Sequence, residues 1–151
     1  METKNELKPS AIRKTILEDH AQLRTMLKNI ETHLQSKKSD LLIKATQEMV
    51  DFFLKHIERE ESILAPVLQE IDSWGGVRVD RMKQEHAHQR QEIQLLVSEL
   101  KQGKMMQIIP RVEKFMSDLY EDMDSEEKEC LSPDLLKDDL VTIGNYSGLT
   151  K

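Results

Sequence analysis

The chain has 151 residues, of which 33% are charged and 4% aromatic, with only five Gly and four Pro, a composition that favours helices over sheets in one domain. The net charge of −6 argues against a nucleic-acid-binding surface, and without a signal peptide or an apolar run of about 18 residues we expect no membrane span. Because Cys130 is the single cysteine, no internal disulfide can form, and we expect a cytoplasmic protein.

Apolar residues recur at intervals of three and four along the chain, which predicts helices with one buried face. The first predicted helix starts near Ser10, which can cap it, and ends in the polar stretch QSKKSD. Its buried positions are Ile16, His20, Leu23, Leu27, Ile30 and Leu34. The second predicted helix is disrupted near its end by Pro66. Its buried positions are Leu42, Ala45, Met49, Phe53, His56, Glu60 and Ile63.

Two further helices follow a loop that contains the letters WGG. The third has the buried positions Val79, Met82, His86, Arg90, Ile93, Val97 and Leu100, and Gly103 ends it. The fourth, with Pro110 in or near its first turn, has the buried positions Val112, Met116, Leu119, Met123, Glu127 and Cys130. Short connections between four helices predict an all-α, antiparallel up-down-up-down four-helix bundle over residues 1–133. Residues 134–151 lack a long periodic pattern and are predicted to be a C-terminal tail or a short docking segment.

Ionisable side chains interrupt the predicted buried faces at a similar depth. His20, His56 and His86 each have apolar neighbours on both sides along their helix, and Glu60 and Glu127 join them from the second and fourth helices. Buried charges need partners, and the interiors of helix bundles build metal sites from side chains on facing helices. Imidazole combined with carboxylate suits iron, manganese or zinc. The pattern therefore predicts a metal site at these five residues.

A structural network of His–Glu pairs without a metal is the alternative, because a single buried histidine is more often a hydrogen-bonded core residue. His33 and His88 point away from the predicted buried faces and are interpreted as surface residues. Glu126 is interpreted as a flanking residue, although it is close enough to the buried face to compete with Glu127. Cys130 is interpreted as a small core residue rather than a nucleophile.

Four stretches resemble the hemerythrin-like domain, a His-His-Glu cation-binding four-helix bundle: EDH at 18–20, HIEREESILAP at 56–66, RMKQEH at 81–86 and EEKECLSP at 126–133. Aligning Pro133 with Pro66 places Glu127 opposite Glu60. The resemblance implies a non-haem di-iron centre in which Glu60 and Glu127 bridge the two metals. It also implies binding or sensing of oxygen, nitric oxide or iron, or a role in the repair of iron–sulfur clusters.

Two positions depart from the family's pattern. The same alignment puts Met123 where the family has a histidine, and Arg90 stands where some members have a second histidine on the third helix. One iron then keeps His20, His56 and both carboxylates, and the other keeps only His86 and the shared carboxylates. Alternatively, the Arg90 guanidinium pairs with Glu127 or Glu60 and replaces the second cation. The expected cofactor is therefore one or two non-haem iron ions.

Three hypotheses about function remain open on the sequence. The first is an iron-binding protein that binds or senses oxygen, nitric oxide or iron. The second is a di-iron enzyme of repair, or one that handles peroxide or nitric oxide; the sequence shows no substrate cleft, so turnover is undecided. The third is a metal-free bundle that serves as an interaction module, with a protein partner that the sequence does not identify.

Overall fold

The computed structural model describes residues 7–36 and 38–138, and no strand occurs in these two ranges. The helices are α1 (Pro9–Ser36), α2 (Ser39–Arg59), α3 (Ala65–Ile71), α4 (Gly75–Gln102) and α5 (Met105–Glu129). A π-helical turn, Glu60–Leu64, joins α2 to α3, so these three segments form one continuous helix. The prediction of an all-helical four-helix bundle is confirmed. None of the described helices is long and apolar enough to cross a membrane.

The π-helical turn explains how the second helix continues past Pro66. A proline lacks the backbone N–H, and its ring collides with the carbonyl four residues earlier in an α-helix. The wider turn avoids that collision, and the Ala65 N–H donates to the Glu60 carbonyl five residues back. One extra residue is thereby accommodated, and Leu64 rather than the predicted Ile63 is fully buried. Pro66 therefore reshapes the helix, which continues to Ile71.

Apolar side chains form two separate clusters inside the bundle. The larger one includes Leu23 on α1, Phe53 on α2, Ile93 on α4 and Met123 on α5. The smaller one includes Ile16 on α1, Leu64 after α2, Met82 on α4 and Leu131 beyond α5. Buried polar side chains lie between these two sets: His20 on α1, Glu60 after α2, and His86 and Gln89 on α4. The bundle therefore contains a polar layer between two apolar clusters.

Two glycines shape the ends of α4. Gly103 has a left-handed backbone with φ of 70°, and its N–H donates to the Glu99 and Leu100 carbonyls, as the prediction of a helix end at Gly103 requires. At the other end, a Cβ on Gly75 would lie 2.2 Å from the Leu68 carbonyl oxygen of α3. Only glycine lets the backbones of α3 and α4 approach this closely.

The chain beyond α5 returns to the start of α1. Leu136 is 2% exposed and belongs to the smaller apolar cluster, together with Leu131. The Ser10 backbone N–H and hydroxyl donate to the Asp138 carboxylate at 3.0 and 2.9 Å. Ser10 lies in the first turn of α1. The Asp138 carboxylate therefore accepts a backbone N–H at the start of this helix. Of the predicted tail, residues 134–138 are described, and residues 139–151 lie outside the described part of the chain.

Candidate metal centre

Four side chains from four segments of the chain meet in the polar layer. His20 comes from α1, His56 from α2, Glu60 from the π-helical turn and Glu126 from α5. One ligand atom of each lies within 4.8 Å of one ligand atom of every other. We call this set of four the inner cluster. Its two histidines and Glu60 are buried, and Glu126 is half-buried.

The ligand atoms of the inner cluster lie close together, but two of them form no hydrogen bond. His56 Nε2 is 3.1 Å from Glu60 Oε2, and His20 Nε2 is 2.8 Å from Glu126 Oε1 and 3.9 Å from Glu60 Oε2. Despite these short distances, His20 Nε2 and Glu60 Oε2 make no hydrogen bond of acceptable geometry. Buried polar atoms normally find a partner, so two such atoms facing each other suggest space for a cation.

His86 approaches the inner cluster from the opposite side of Glu60. Its Nε2 is 2.8 Å from Glu60 Oε1, whereas Glu60 Oε2 faces the imidazoles of His56 and His20. The two oxygens of one carboxylate therefore face different histidines. His86 is 2% exposed and lies in the same polar layer. A carboxylate in this position has the geometry to join two cation positions.

The other ring nitrogen of each histidine binds a carboxylate at the periphery of the site. The distances are 2.7 Å from His20 Nδ1 to Glu127 Oε2, 2.9 Å from His56 Nδ1 to Asp19 Oδ2 and 2.7 Å from His86 Nδ1 to Glu61 Oε2. Asp19, Glu61 and Glu127 are called the outer carboxylates. An ionised carboxylate only accepts, so each Nδ1 carries the hydrogen and donates it. This arrangement directs Nε2 towards the inner cluster, as in metal-binding histidines.

The charges around the histidines favour a cation in this layer. Burial would lower the pKa of His20, but Glu126 and Glu60 raise it to about 10. Burial likewise opposes the charge on His56, and Asp19 and Glu60 raise its pKa to about 9. The pKa of His86 is raised as well, against burial, by Glu60 and Glu61. A metal ion would satisfy the same carboxylates that hold these protons.

Glu60 and Glu126 have opposite pKa shifts although both are enclosed. Burial raises the pKa of Glu126, and the neighbouring charge of Glu60 raises it further. Burial acts in the same direction on Glu60, but contacts with Glu126 and the three histidines bring its pKa well below the ordinary value. Glu60 is therefore the carboxylate that ionises first. Two carboxylates held this close normally require a cation between them or a shared proton.

Helix α5 contributes two adjacent glutamates with different roles. The structure brings Glu126 into the inner cluster, whereas Glu127 lies outside it and contacts His20 Nδ1 and Arg24. Glu127 entered the predicted site through helical spacing, because it lies four residues after Met123, and the alignment of Pro133 with Pro66 gave the same residue. Glu126 lies three residues after Met123, a spacing that an α-helix of 3.6 residues per turn allows equally. The register of α5 in the structure therefore brings Glu126, and not Glu127, into the inner cluster.

The place of Glu126 in the inner cluster changes the interpretation of Met123. Four residues before Glu126 lies Asp122, and Met123 is 2% exposed and packs in the larger apolar cluster. Asp122 is half-buried and accepts a hydrogen bond from Gln89 Nε2 at 2.9 Å. Burial raises the pKa of its carboxyl. The position at which the resemblance expects a histidine is therefore occupied by a carboxylate.

Arg90 does not face Glu60 or Glu127 in the structure. Its guanidinium binds Glu61 at 3.1 and 3.4 Å, and 42% of its side chain is exposed. Gln89, rather than Arg90, is the buried residue in this part of α4. The alternative in which the Arg90 guanidinium replaces the second cation is therefore wrong.

Three other residues considered in the sequence analysis, His33, His88 and Cys130, are not part of the inner cluster. His88 is exposed and His33 is half-buried. Burial raises the pKa of the Cys130 thiol to about 12, so it stays protonated, and the side chain packs against the smaller apolar cluster. Sequence reasoning missed Asp19 and Glu61 as partners of histidines. Their signal was adjacency to a predicted ligand, Asp19 before His20 and Glu61 after Glu60.

Comparison with known families agrees with this geometry. The family model described as the hemerythrin HHE cation binding domain matches residues 11–132. The chain belongs to this family, because the match covers most of its length. No curated protein and no solved structure matches the chain.

Proposed function

We propose that this hemerythrin-family chain binds non-haem iron through His20, His56, Glu60 and Glu126. The observation that carries the proposal is that the two nitrogens of each imidazole have different partners. Each Nδ1 donates to an outer carboxylate, and the Nε2 atoms of His20 and His56 face two carboxylates. Two imidazoles and two carboxylates form a ligand set for iron, manganese or zinc.

His86 is the proposed ligand of a second position. Its Nε2 and Glu60 Oε1 are 2.8 Å apart, and Glu60 would then bridge the two ions. Glu127, which the sequence pattern included among the ligands, is instead proposed to orient His20 from outside. The second position has fewer ligand atoms near it than the first. We therefore propose one firmly held iron ion and a second one of lower occupancy.

Oxygen or nitric oxide is the proposed ligand of the iron centre. A bound ferrous ion supplies a redox-active centre that recognises such diatomic gases. A cavity of about 40 Å³ lies between α4 and α5 beside Glu126, and Met82 and Cys130 also line it. By this measure a single water molecule needs about 10–15 Å³, so the cavity has room for a diatomic ligand.

The polar layer offers a way to report a change at the site. Ligand side chains come from α1, α2 and α5, and His86 adds α4. A change in charge or ligand number at the centre would therefore act on all four helices of the bundle. We also infer the up-down-up-down order of the helices, which is supported by connections of two or three residues between α1 and α2, α3 and α4, and α4 and α5.

Iron content and the visible spectrum test the proposal. The chain is loaded with ferrous iron without oxygen, freed of excess metal, and analysed for iron per chain. Addition of oxygen or nitric oxide should then produce new absorption bands that the double variant His20→Ala and His56→Ala does not show. The proposal would be contradicted by a chain that retains no iron, or by an absorption spectrum that neither gas changes. Catalytic loss of peroxide or nitric oxide would favour the enzyme hypothesis instead.

A further inference from the structure

Each histidine of the polar layer belongs to a chain of three residues. The His56 Nδ1–H donates to Asp19 Oδ2, and the Arg59 guanidinium donates to both oxygens of the same carboxylate at 2.8 and 3.0 Å. Asp19 is 7% exposed, so this carboxylate has little contact with water. Arg59 therefore fixes the orientation of a buried group that in turn fixes an imidazole.

The same arrangement occurs at the other two histidines. Arg24 Nη1 donates to Glu127 Oε2 at 2.9 Å, the oxygen that also binds His20 Nδ1. Arg90 Nη2 donates to Glu61 Oε1 at 3.1 Å. We call each set of arginine, outer carboxylate and histidine a relay.

The relays follow one rule in sequence and in space. Each arginine lies three or four residues after its histidine on the same helix, the spacing at which helical side chains are neighbours. The outer carboxylate always comes from an adjacent helix. The histidine of α1 binds a carboxylate of α5, the histidine of α2 binds one of α1, and the histidine of α4 binds one of the π-helical turn. Three repeats of one rule at one layer distinguish these pairs from the scattered ion pairs of the surface.

We propose that Arg24, Arg59 and Arg90 are positioning residues for the iron site. Their guanidinium groups bind carboxylates outside the inner cluster. Each holds an outer carboxylate in place, so that the carboxylate accepts the Nδ1 hydrogen and Nε2 faces the metal position. The inference rests on the proposed iron binding and adds to it the residues that orient the ligands.

Positioning and simple electrostatics predict opposite effects when an arginine loses its charge. A nearby positive charge repels a metal cation, so removing it would tighten metal binding if that were its only effect. Loss of a positioning residue instead lets the carboxylate and the imidazole turn away, which weakens binding. Changes in such outer partners of metal ligands typically cost about 10–100-fold in affinity. We expect about a tenfold loss for an arginine, which acts through a carboxylate.

The test compares Arg59→Gln and Arg90→Gln with Arg111→Gln. Arg111 forms a two-bond ion pair with Glu99 and is 31% exposed, so it controls for the loss of a surface ion pair. Arg59 and Arg90 are 38% and 42% exposed, so these variants should fold, as circular dichroism will show. Ferrous affinity is measured without oxygen by competition with a chromophoric chelator. Both site variants should bind about tenfold more weakly than the unaltered chain, and Arg111→Gln should not.

A second readout follows the imidazole hydrogens directly. In the protein loaded with zinc, the Nδ1–H signals should be observable by nitrogen–proton NMR, and they should exchange with water more slowly than those of exposed His88. Arg59→Gln should speed the exchange at His56, and Arg59→Lys should restore part of the protection. A purely structural role would change the melting temperature without changing this exchange.

The outcomes separate the inference from the proposed function. If the unaltered chain takes up no metal, both are overturned. If it binds ferrous iron and the variants at Arg59 and Arg90 bind as tightly as Arg111→Gln, or more tightly, only the positioning role is overturned. Weaker binding combined with unchanged Nδ1–H exchange would also overturn it, because the carboxylate would then be orienting the imidazole without the arginine.

Discussion

Glu60 lies four residues after His56 in one continuous helix, and Glu60 Oε2 is 3.1 Å from His56 Nε2. The other oxygen of the same carboxylate is 2.8 Å from His86 Nε2. Glu60 is thus the residue through which the two sides of the polar layer meet.

Replacing His56 by alanine should remove most of the bound metal. The substitution deletes an Nε2 that faces Glu60 Oε2 and leaves Asp19 without its imidazole partner. Metal per chain is measured by elemental analysis after iron loading. His33→Ala and His88→Ala serve as controls and should leave the metal content unchanged. Equal loss in either control would show that the chosen histidines are not the ligands.

Glu126→Ala should cost more metal affinity than Glu127→Ala. Glu126 belongs to the inner cluster, whereas Glu127 acts on His20 from outside. An outer partner of this kind is worth about 10–100-fold in affinity, and loss of a ligand should exceed that. Competition titrations with a chelator measure both constants. The reverse order would restore Glu127 as the ligand and reject the register of α5 in the structure.

Asp122→His should raise the iron content, whereas Met123→His should lower the stability of the bundle. Asp122 is half-buried and lies one helical turn before Glu126, so we expect an imidazole there to supply a further ligand. Met123 is 2% exposed among apolar side chains, where an imidazole has no hydrogen-bond partner. Iron per chain and urea unfolding measure the two effects. More iron in Met123→His than in Asp122→His would contradict the prediction.

Removing the metal should lower the melting temperature without abolishing helicity. A ligand that binds only the folded state stabilises it by about 2.7 kcal/mol at 100 times its dissociation constant. For a chain of this length that corresponds to roughly 5–10 °C. The two apolar clusters stay in place, so the helical circular dichroism signal should persist. An unchanged melting temperature after proven loss of metal would show that binding is not coupled to folding.

Leu136→Ala should destabilise the bundle by about 2–5 kcal/mol, the usual cost of shortening a buried leucine. Leu136 is 2% exposed and packs with residues of α1 and α3, which places it in the folded unit although the predicted bundle ended at residue 133. Urea unfolding measures the difference. Leu95→Ala, at a leucine that is 48% exposed, is the control and should change stability by less than about 0.5 kcal/mol. A matching small effect at Leu136 would mean that the segment after α5 does not stabilise the fold.

The periodic apolar pattern was enough to predict the four helices and the shared depth of His20, His56 and His86. Helical spacing depends on a constant number of residues per turn, and it failed at Ile63 because the π-helical turn moves the buried position to Leu64. In regular helices it could not decide between positions three and four residues further on, because both lie near the same face. There the structure has Gln89, Leu96 and Glu126 in place of the predicted Arg90, Val97 and Glu127.

The outer carboxylates show a second limit of sequence reasoning. Asp19 and Glu61 resemble ordinary flanking residues in the sequence, since their histidine partners are on other helices. Only packing decides which neighbouring helix supplies a carboxylate to which imidazole. Arg90 was assigned to the buried face for a similar reason. The Arg90 guanidinium lies at the border of that face and turns outward, where it binds the Glu61 carboxylate.

The polar layer between the two apolar clusters has a consequence for how the chain can change over evolutionary time. Contacts among apolar side chains have no preferred direction, so residues such as Leu27 or Ile108 can be exchanged for others of similar volume. The hydrogen bonds of the layer are directional and connect each helix to the next, which prevents a helix from turning about its own axis. The apolar clusters can therefore accumulate substitutions while the ligand side chains keep their orientation.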